Sequence, residues 1–460
     1  MSKEYDLIVI GGGRASSLAI AAAKAGWKTA LVEKDKLGGT CPNRGCVPSK
    51  LLIGFGEAAR RVREARKHFV DAELKGIDTG GIFGSVREWI AGVDGRYEGR
   101  VEDAGVDLFR GEGRFVGQKT VAVGEQELKA DKIVIGTGGR PTDPPYPDLP
   151  VWTSDQLFPL EGNPPESLLV IGGGVIGVEM ASFFAGIGVK THLFARGTRL
   201  LGREDQEIEE IFQREFAKEV ETHTSATLSE LEHDGQSFQA TFSVDGSTEK
   251  FSAERVLFAI GRRPNTEALD LGKTGIETNA RGFIPVNDEL KTSVPGIYAM
   301  GDVNGRFMLQ HAASYEAFYL RQKLLKGQAG PIDESLVASA IYSHPEVASI
   351  GLTEEQAKES GKPYVAVTED WMASARAMAL RVDYPRVKLV VSPEDFSILG
   401  CHLVGPESST LLHQVMAVMR LKNDVRELAE MIYIHPALNE CLLAAAVKAV
   451  GAVKKFQAGE

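Results

Sequence analysis

Three deficits of the sequence limit the kinds of protein that it can encode. Only four of the 460 residues are cysteines, at positions 41, 46, 401 and 441, too few for the disulfide framework of a small secreted protein. Basic residues are outnumbered by acidic ones, 52 to 63, so the net charge is −11 and a nucleic-acid partner is not expected. No apolar run reaches the roughly 18 residues of a transmembrane helix. We therefore expect a cytoplasmic protein with neither a nucleic-acid nor a membrane partner.

Glycine, by contrast, is abundant. It makes up 50 of the 460 residues, above the average usage of about 7%. Hydrophobic residues account for 43% and charged residues for 25%, as in globular proteins. The length favours about three domains. Because no collagen-like repeat accompanies the glycines, we expect them at turns and at close backbone contacts.

Two segments of the chain repeat one pattern, in which an apolar strand leads through a glycine-rich turn into a helix and a second strand. The first strands cover residues 5–10 and 168–171. The key turn positions are Gly11, Gly13 and Ser16 in the first segment and Gly172, Gly174 and Gly177 in the second. Glycines there let the backbone approach a pyrophosphate, which then lies on the helix N-terminus. Ser16 replaces the third glycine of the first turn, and its Cβ predicts slightly wider packing of helix against strand.

A second repeated stretch closes each unit, at residues 134–141 and 258–264. Within the first of these, Thr137 and Gly138 are further candidate contacts of a bound dinucleotide. The repeats predict an α/β fold with two Rossmann-like dinucleotide-binding domains. From about residue 335 the pattern changes to alternating strands and late helices, which predicts a third, α+β domain.

The end of each second strand indicates which dinucleotide is bound. In the first module this position is Glu33, a carboxylate that would accept ribose hydroxyls of FAD or NAD. In the second module the aligned residue is Ala195, and Arg196, Arg199 and Arg203 follow it. A missing carboxylate and added guanidinium groups favour the 2′-phosphate of NADPH, with NADH as the alternative.

The segment from 38 to 50 contains Cys41 and Cys46. On an undistorted helix their Cα atoms would be roughly 8–9 Å apart, whereas a disulfide needs less than about 7 Å. The helix must therefore be locally unwound if the pair closes, and Pro42 and Gly45 are suitable residues for that. A strained, accessible disulfide of this kind is labile, as redox catalysis requires. No second cysteine pair stands at ligand spacing, so no metal site is predicted.

This segment resembles the redox-active motif of the class I pyridine nucleotide-disulfide oxidoreductases, flavoproteins that include dihydrolipoamide dehydrogenase, mycothione reductase, glutathione reductase and mercuric reductase. The order of motifs along essentially the whole chain is also similar. The resemblance implies FAD in the first module and a nicotinamide dinucleotide in the second. The implied domains are residues 1–148 and 269–334 (FAD-binding), 149–268 (NAD(P)H-binding) and 335–460 (dimerisation).

The same resemblance implies roles for individual residues. Cys46 would face the flavin as a thiolate, and Cys41 would be the interchange thiol that attacks the substrate disulfide. Lys50 and Glu179 would form an ion pair near the flavin and serve both binding and catalysis. A buried lysine and glutamate are costly unless they are paired. Asp302 would bind the ribitol of FAD.

Near the C-terminus, His435 is followed by proline and, five residues on, by Glu440. A general base needs a pKa near the working pH and a group that fixes its tautomer, and this pair supplies both. In the family this pair comes from the partner subunit, which implies a homodimer whose site is completed by the partner's His435. The remaining histidines, including His192 and His223, lack such a frame and are interpreted as structural.

Together these features predict an enzyme that passes electrons from NADPH through FAD and the Cys41–Cys46 disulfide to a low-molecular-weight disulfide. The alternatives are a dihydrolipoamide dehydrogenase, which would work with lipoamide, NAD and a lipoyl-bearing complex, and a mercuric-reductase-like enzyme or a flavin oxidase. A scaffold subunit of a multienzyme complex is the non-enzymatic alternative. The intact cysteine pair and the His435–Glu440 pair favour turnover over scaffolding.

Overall fold

The computed structural model describes residues 3–158, 161–328 and 330–460. The elements of the N-terminal part are β1 (Lys3–Ile10), α1 (Ser16–Lys24), β2 (Thr29–Glu33), α2 (Thr40–Arg44), α3 (Cys46–Arg63), α4 (Thr79–Ala91), α5 (Val93–Asp103), β3 (Asp107–Arg110), β4 (Gly113–Gly117), β5 (Thr120–Val123), β6 (Gln126–Ile135) and β7 (Gly139–Pro141). The central elements are α6 (Ser154–Leu157), β8 (Ser167–Ile171), α7 (Val175–Gly186), β9 (Lys190–Phe194), α8 (Gln206–Phe216), β10 (Glu221–His223), β11 (Ala226–His233), β12 (Phe238–Val244), β13 (Ser247–Ala253), β14 (Arg255–Phe258) and β15 (Arg262–Pro264). The last elements are β16 (Ile297–Ala299), α9 (Gln310–Lys326), β17 (Ser339–Ile341), β18 (Val347–Gly351), α10 (Glu354–Glu359), β19 (Val365–Asp370), α11 (Ala375–Met378), β20 (Arg386–Val391), β21 (Ile398–Val404), α12 (Ser408–Leu421), α13 (Val425–Glu430) and α14 (Glu440–Ala458). Short 3₁₀ turns cover Ala65–His68, Glu267–Leu269, Leu271–Lys273 and Gly301–Asn304.

The first sheet has the strand order β3-β2-β1-β6-β5-β4. Strand β1 pairs in parallel with β2 and β6. Its residues Leu7 to Ile10 are fully buried, as expected for a parallel strand covered on both faces. Strand β16 returns to this sheet after the second module and pairs in parallel with β6. The chain segment around 297–299 is thus part of the first module in space, although the domain limits given above remain a proposal.

The second module repeats this arrangement with a sheet of order β10-β9-β8-β14, all parallel. An antiparallel sheet, β11-β12-β13, packs against it through aromatic side chains. Phe194 of β9 stacks on Phe242 of β12 with ring centres 3.8 Å apart. The carboxyl ends of β8 and β9 therefore lie beside the glycine turn, where open parallel sheets bind dinucleotides.

The two glycine turns make the same contact in space. A Cβ placed on Gly11 would lie 2.2 Å from the carbonyl oxygen of Gly136, and one on Gly172 would lie 2.2 Å from that of Ala259. Both glycines also have positive φ angles, +110° and +127°, which disfavour other residues. The repeat seen in the sequence is therefore also a repeat of backbone geometry.

The C-terminal part is built on an antiparallel sheet of order β17-β18-β21-β20-β19. Helices α12, α13 and α14 share its apolar core, which includes the buried side chains of Cys401 and Cys441. Lys388 of β20 is 4% exposed and lies 3.0 Å from Asp205 of the second module.

The predicted fold class, two dinucleotide-binding modules followed by an α+β unit, is confirmed. None of the described helices has the length and apolar character needed to cross a membrane.

Candidate active site

The two cysteines lie on either side of a break between helices. Helix α2 ends at Arg44, Gly45 has the non-helical angles φ −141° and ψ −122°, and α3 begins at Cys46. The local unwinding that the spacing requires is therefore present, at one of the two residues expected to permit it. The break leaves Cys46 at the N-terminus of α3, where the helix dipole favours a thiolate.

The two thiols influence each other, and their pKa values shift in opposite directions. The influence of the Cys41 thiol as a hydrogen-bond donor is the largest cause that lowers the pKa of Cys46, to about 7. Burial opposes this shift, and the charge of Lys50 supports it. The same hydrogen bond, with burial, raises the pKa of Cys41. Cys46 is thus the more acidic thiol of the pair, and Cys41 is the one that keeps its proton.

Lys50 lies one turn further along α3 and forms an ion pair with Glu179 of α7. Its Nζ atom is 2.7 and 2.6 Å from the two carboxylate oxygens. The backbone N–H of Tyr342 also donates to Glu179, at 3.0 Å, and Lys50 lies over the Tyr342 ring at 4.8 Å. The ion pair expected from the sequence is present, and it ties both modules to the C-terminal unit next to the cysteines.

The first glycine turn leads directly into α1 through short-range hydrogen bonds. The backbone N–H groups of Ser16, Ser17 and Leu18 bond three residues back, and the Ser16 hydroxyl donates to the Gly13 carbonyl at 2.7 Å. In the second turn a Cβ at Gly177 would lie 1.9 Å from the Gly172 carbonyl oxygen, so glycine is required there. In the first turn Ser16 is accommodated with its side chain bonded back to the turn, and the wider packing of helix against strand stays a prediction.

The polar groups around the first module match the parts of FAD. Glu33 lies at the end of β2 and accepts the N–H of Gly12 at 2.6 Å, so its carboxylate borders the glycine turn where an adenosine ribose would lie. Asp302 is the second residue of the 3₁₀ turn after β16 and is half-buried. Burial raises its pKa against the opposing charge of Arg262, 3.5 Å away. Such a half-satisfied carboxylate suits a polyol hydroxyl donor. The residues present therefore fit FAD.

Two further groups in this region were not foreseen. Arg262 donates to the carbonyl of Gly139 at 2.6 Å and faces Asp302. Buried Glu316 accepts the N–H of Gly301 and the side-chain amide of Asn304, and burial raises its pKa to about 7. The sequence did contain a signal for Arg262. The Gly-Arg-Pro stretch at 139–141 is echoed at 261–264, and the two stretches contain the paired strands β7 and β15. No local signal marks Glu316.

The other two predicted contacts, Thr137 and Gly138, bond to Asn265 instead of standing free. The Thr137 hydroxyl donates to the Asn265 carbonyl at 2.8 Å, and the Asn265 amide donates back to the Thr137 carbonyl at 2.9 Å. The N–H of Asn265 donates to Gly138. These bonds fix the chain that crosses the carboxyl end of the first sheet.

The strand ends of the two modules are equivalent in space as well as in sequence. A Cβ on Gly12 would meet the Glu33 side chain at 2.9 Å, and a Cβ on Gly173 would meet the Cβ of Ala195 at 2.7 Å. Ala195 thus occupies the place that Glu33 has in the first module and supplies no carboxylate oxygen there.

The guanidinium groups that follow Ala195 differ in exposure. Arg196 and Arg203 are exposed and make no ion pair with the part of the chain that the structure describes. Arg199 is half-buried. Burial raises the pKa of Glu209 to about 7, and the charge of Arg199 opposes this shift. Arg196 and Arg203 are therefore the two cations available to an incoming phosphate.

His435 and Glu440 form a pair near the start of α14. The His435 Nδ1 donates to Glu440 at 2.7 Å, and the other oxygen of Glu440 accepts the Ala437 N–H at 2.9 Å. The hydrogen bond from His435 lowers the pKa of Glu440. With Nδ1 protonated, Nε2 is left to act as a base. His435 is exposed in a segment that also presents Ile432, 99% exposed.

The single chain thus assembles the cysteine pair, the Lys50–Glu179 ion pair and both glycine turns around one region. It leaves the His435–Glu440 pair at the surface of the C-terminal unit. Such an exposed base beside exposed apolar residues is what a contact with a second copy of the chain would require.

Comparison with known proteins accounts for nearly the whole chain. The profile of the pyridine nucleotide-disulphide oxidoreductase family matches residues 5–317. The profile of the dimerisation domain of these oxidoreductases matches residues 337–446. The second match supports a homodimer.

Individual relatives are similar over their full length. A dihydrolipoyl dehydrogenase of Geobacillus stearothermophilus is 35% identical over 459 residues, which is 97% of each chain. One from Bacillus subtilis (strain 168) is 33% identical over 462 residues, again 97% of each chain. Among solved structures, a Cu(II) complex of the HOCl-induced flavoprotein disulfide reductase RclA from Escherichia coli has a TM-score of 0.86 at 28% identity, covering 97% of this chain and 100% of that one.

Proposed function

Because the chain belongs to the pyridine nucleotide-disulphide oxidoreductase family, we propose that it uses NADPH to reduce a small disulfide. Members of this family are FAD-dependent enzymes that act on sulfur groups with a pyridine nucleotide, and this much holds for the chain. The proposal adds the choice of NADPH, the reductive direction and a low-molecular-weight substrate. It also assigns the cysteine, histidine and ion-pair residues to their roles.

The observation that carries the proposal is that Ala195, a residue without a carboxylate, follows β9. At the equivalent point of the first module, Glu33 provides the carboxylate that a ribose hydroxyl needs. In the second module this carboxylate is missing, and exposed Arg196 follows directly. A carboxylate selects NADH by binding the 2′-hydroxyl and repelling a 2′-phosphate, whereas a guanidinium attracts the phosphate. A preference for NADPH in turn favours reduction of a disulfide over oxidation of a dithiol.

The chemistry of the chain's own residues follows from the unequal acidity of the thiols. Cys41 keeps its proton in the pair, so His435 of the partner subunit would remove it. The Cys41 sulfur then attacks one sulfur of the substrate and forms a mixed disulfide, while the other substrate sulfur leaves as a thiol with the proton from His435. The Cys46 thiolate then attacks Cys41 and restores the Cys41–Cys46 disulfide, and the second substrate sulfur leaves as a thiolate that takes a proton from the solvent. Bound FAD would supply the two electrons from NADPH that open this disulfide again.

Lys50 and Glu179 would hold charge in place beside the cysteines. Lys50 lies close enough to lower the pKa of Cys46, and the Glu179 carboxylate balances the positive charge of Lys50. Glu33, the glycine turns and Asp302 would bind FAD, and Gly172, Gly174 and Gly177 with Arg196 and Arg203 would bind NADPH. No metal takes part in this scheme.

Steady-state turnover tests the proposal most directly. The purified enzyme is assayed with NADPH and with NADH against the disulfides of glutathione, mycothiol, coenzyme A and bacillithiol, and against lipoamide. We expect a higher kcat/KM with NADPH than with NADH and turnover of at least one of the small thiol disulfides. Turnover confined to lipoamide with NADH would reject both parts of the proposal.

The second candidate is a dihydrolipoyl dehydrogenase. It is favoured by the names of the relatives that are similar over the full chain. It would oxidise a dihydrolipoyl group with NAD and associate with a lipoyl-bearing acyltransferase. The same assay, run in the direction of dihydrolipoamide oxidation with NAD and with NADP, separates the two candidates.

A further inference from the structure

Three polar side chains of the second module converge at the edge of its parallel sheet. We name His192 of β9 and Glu221 and His223 of β10 the histidine cluster. In the strand register Glu221 lies opposite His192, and His223 lies opposite Phe194. Since alternate residues of a strand point to the same face, all three side chains project on one side. They are unrelated to the cysteines and play no part in the reaction described above.

The distances within the histidine cluster are unusual. His192 Nδ1 is 3.4 Å from His223 Nε2 and 3.4 Å from a carboxylate oxygen of Glu221. His223 Nε2 is 3.5 Å from the other oxygen of Glu221. These separations are longer than the usual range of about 2.7–3.2 Å for hydrogen bonds from nitrogen. The donor atoms thus surround a point without bonding closely to one another.

The separations within the histidine cluster match the size of a metal ion. Ligand atoms that each lie about 2.0 Å from a tetrahedral zinc ion, the length of a zinc–nitrogen or zinc–carboxylate bond, are roughly 3.3 Å apart. The two imidazole nitrogens are 3.4 Å apart, and each lies 3.4 or 3.5 Å from one oxygen of the Glu221 carboxylate. We propose that the histidine cluster binds one divalent ion of the zinc class through two imidazoles and one carboxylate, with water in the remaining position. Imidazole ligands favour zinc, copper or nickel over magnesium and calcium.

The surroundings hold the ligands in place. The His223 ring stacks on Phe194 with centres 4.6 Å apart and meets Phe251 edge-on at 4.8 Å. His192 is 8% exposed and His223 14%, while Glu221 is 59% exposed and leaves a side open for entry and for water. Lys190, on the same face of β9, opposes a cation, but it is exposed and its charge is screened by solvent.

The cluster joins an edge strand to the sheet at a place that matters for the module. Strand β10 is the edge of the sheet. Immediately beyond the cluster, the His223 carbonyl accepts the N–H of Ala195 at 2.8 Å, and the N–H of Ser225 donates to the Gly197 carbonyl at 2.8 Å. An ion at the cluster would therefore clamp β10 to β9 next to the loop that carries Arg196.

Zinc titration of the FAD-loaded, oxidised enzyme tests this inference. With the Cys41–Cys46 disulfide closed and Cys401 and Cys441 buried, thiolates are removed as competing ligands. Calorimetry should give one zinc ion per chain, and zinc-edge X-ray absorption should show nitrogen and oxygen neighbours near 2.0 Å, roughly the bond length for such ligands, with no sulfur. Failure of stoichiometric binding, or a sulfur neighbour, overturns the inference.

Variants assign the binding to the cluster. Glu221→Gln and His223→Gln should each weaken zinc binding by at least about tenfold. His233→Gln, a histidine on the neighbouring antiparallel sheet and outside the cluster, should bind zinc as the wild type does. Glu221 is mostly exposed, so Glu221→Gln alone decides the matter if His223→Gln fails to fold. Equal affinity in Glu221→Gln and wild type would place the ion elsewhere. Zinc binding is measured without turnover, so the outcome is independent of the proposed function.

Discussion

The hydrogen bond between the two thiols can be tested through the acidity of Cys46. It is the largest cause of a pKa near 7, against 9.0 for an ordinary cysteine. Replacing Cys41 with alanine removes the donor and should move the pKa of Cys46 towards 9, because a thiolate that loses a hydrogen bond is less favoured. At pH 7 about half of Cys46 is thiolate with a pKa of 7 and about one part in a hundred with a pKa of 9, a difference of up to about 50-fold.

The measurement is the pH midpoint of alkylation by iodoacetamide, with modified peptides identified by mass spectrometry. The midpoint is the better quantity, since the intrinsic reactivity of a thiolate also changes with its pKa. Cys401 and Cys441 are buried, and burial raises the pKa of both, that of Cys441 to about 12, so neither should react.

A matched variant separates the hydrogen bond from the loss of a side chain. Cys41→Ser keeps a hydroxyl donor at the same place and should hold the midpoint near that of the native dithiol. If Cys41→Ala and Cys41→Ser titrate alike, or if both keep a midpoint near 7, the hydrogen bond does not set the acidity of Cys46. In that case Lys50, the next lowering influence, becomes the cause to examine.

Three further predictions concern other parts of the molecule. Arg196→Glu should shift the ratio of kcat/KM values towards NADH through repulsion of the 2′-phosphate, and an unchanged ratio would reject the phosphate role. Inactive Cys41→Ser and His435→Gln subunits, mixed and allowed to exchange, should recover about a quarter of wild-type turnover, because half of the dimers would be hybrids with one intact site of two; no recovery would mean that His435 does not act across the dimer. Lys388→Met should lower the free energy of unfolding in urea by about 3–5 kcal/mol, because it removes the cation that pairs with the buried Asp205 carboxylate. Lys422→Met, which breaks a surface pair with Glu427, is the control and should change it by less than about 0.5 kcal/mol.

The sequence predicted the parts of the structure that depend on local pattern. Glycine turns between an apolar strand and a helix gave the two modules, since positive φ and close backbone approach are properties of single positions. The equivalence of Glu33 and Ala195 followed from counting residues between repeats, and the structure places each beside the glycine turn of its own module. Helix geometry predicted local unwinding if the two cysteines close, with Pro42 and Gly45 as suitable positions, and the break lies at Gly45.

Contacts between segments that lie far apart in the sequence were harder to predict from the sequence. Lys50 and Glu179 are 129 residues apart, and only the resemblance to a family brought them together. The histidine cluster depends on the register of β10 against β9, so its histidines were interpreted as structural. Glu316 was missed because a buried carboxylate that accepts backbone N–H groups leaves no pattern in the sequence.

The exposed segment that carries His435 has a consequence for the life of the polypeptide before assembly. A newly made chain would present bare isoleucine side chains to the solvent and an imidazole with nothing to act upon. Exposed apolar surface of this kind favours association, so the surface that is prone to aggregation would also be the one that brings His435 to the partner subunit. Protection from aggregation and the onset of activity would then both depend on dimerisation. A subunit that has not yet dimerised would be prone to aggregate and would be inactive.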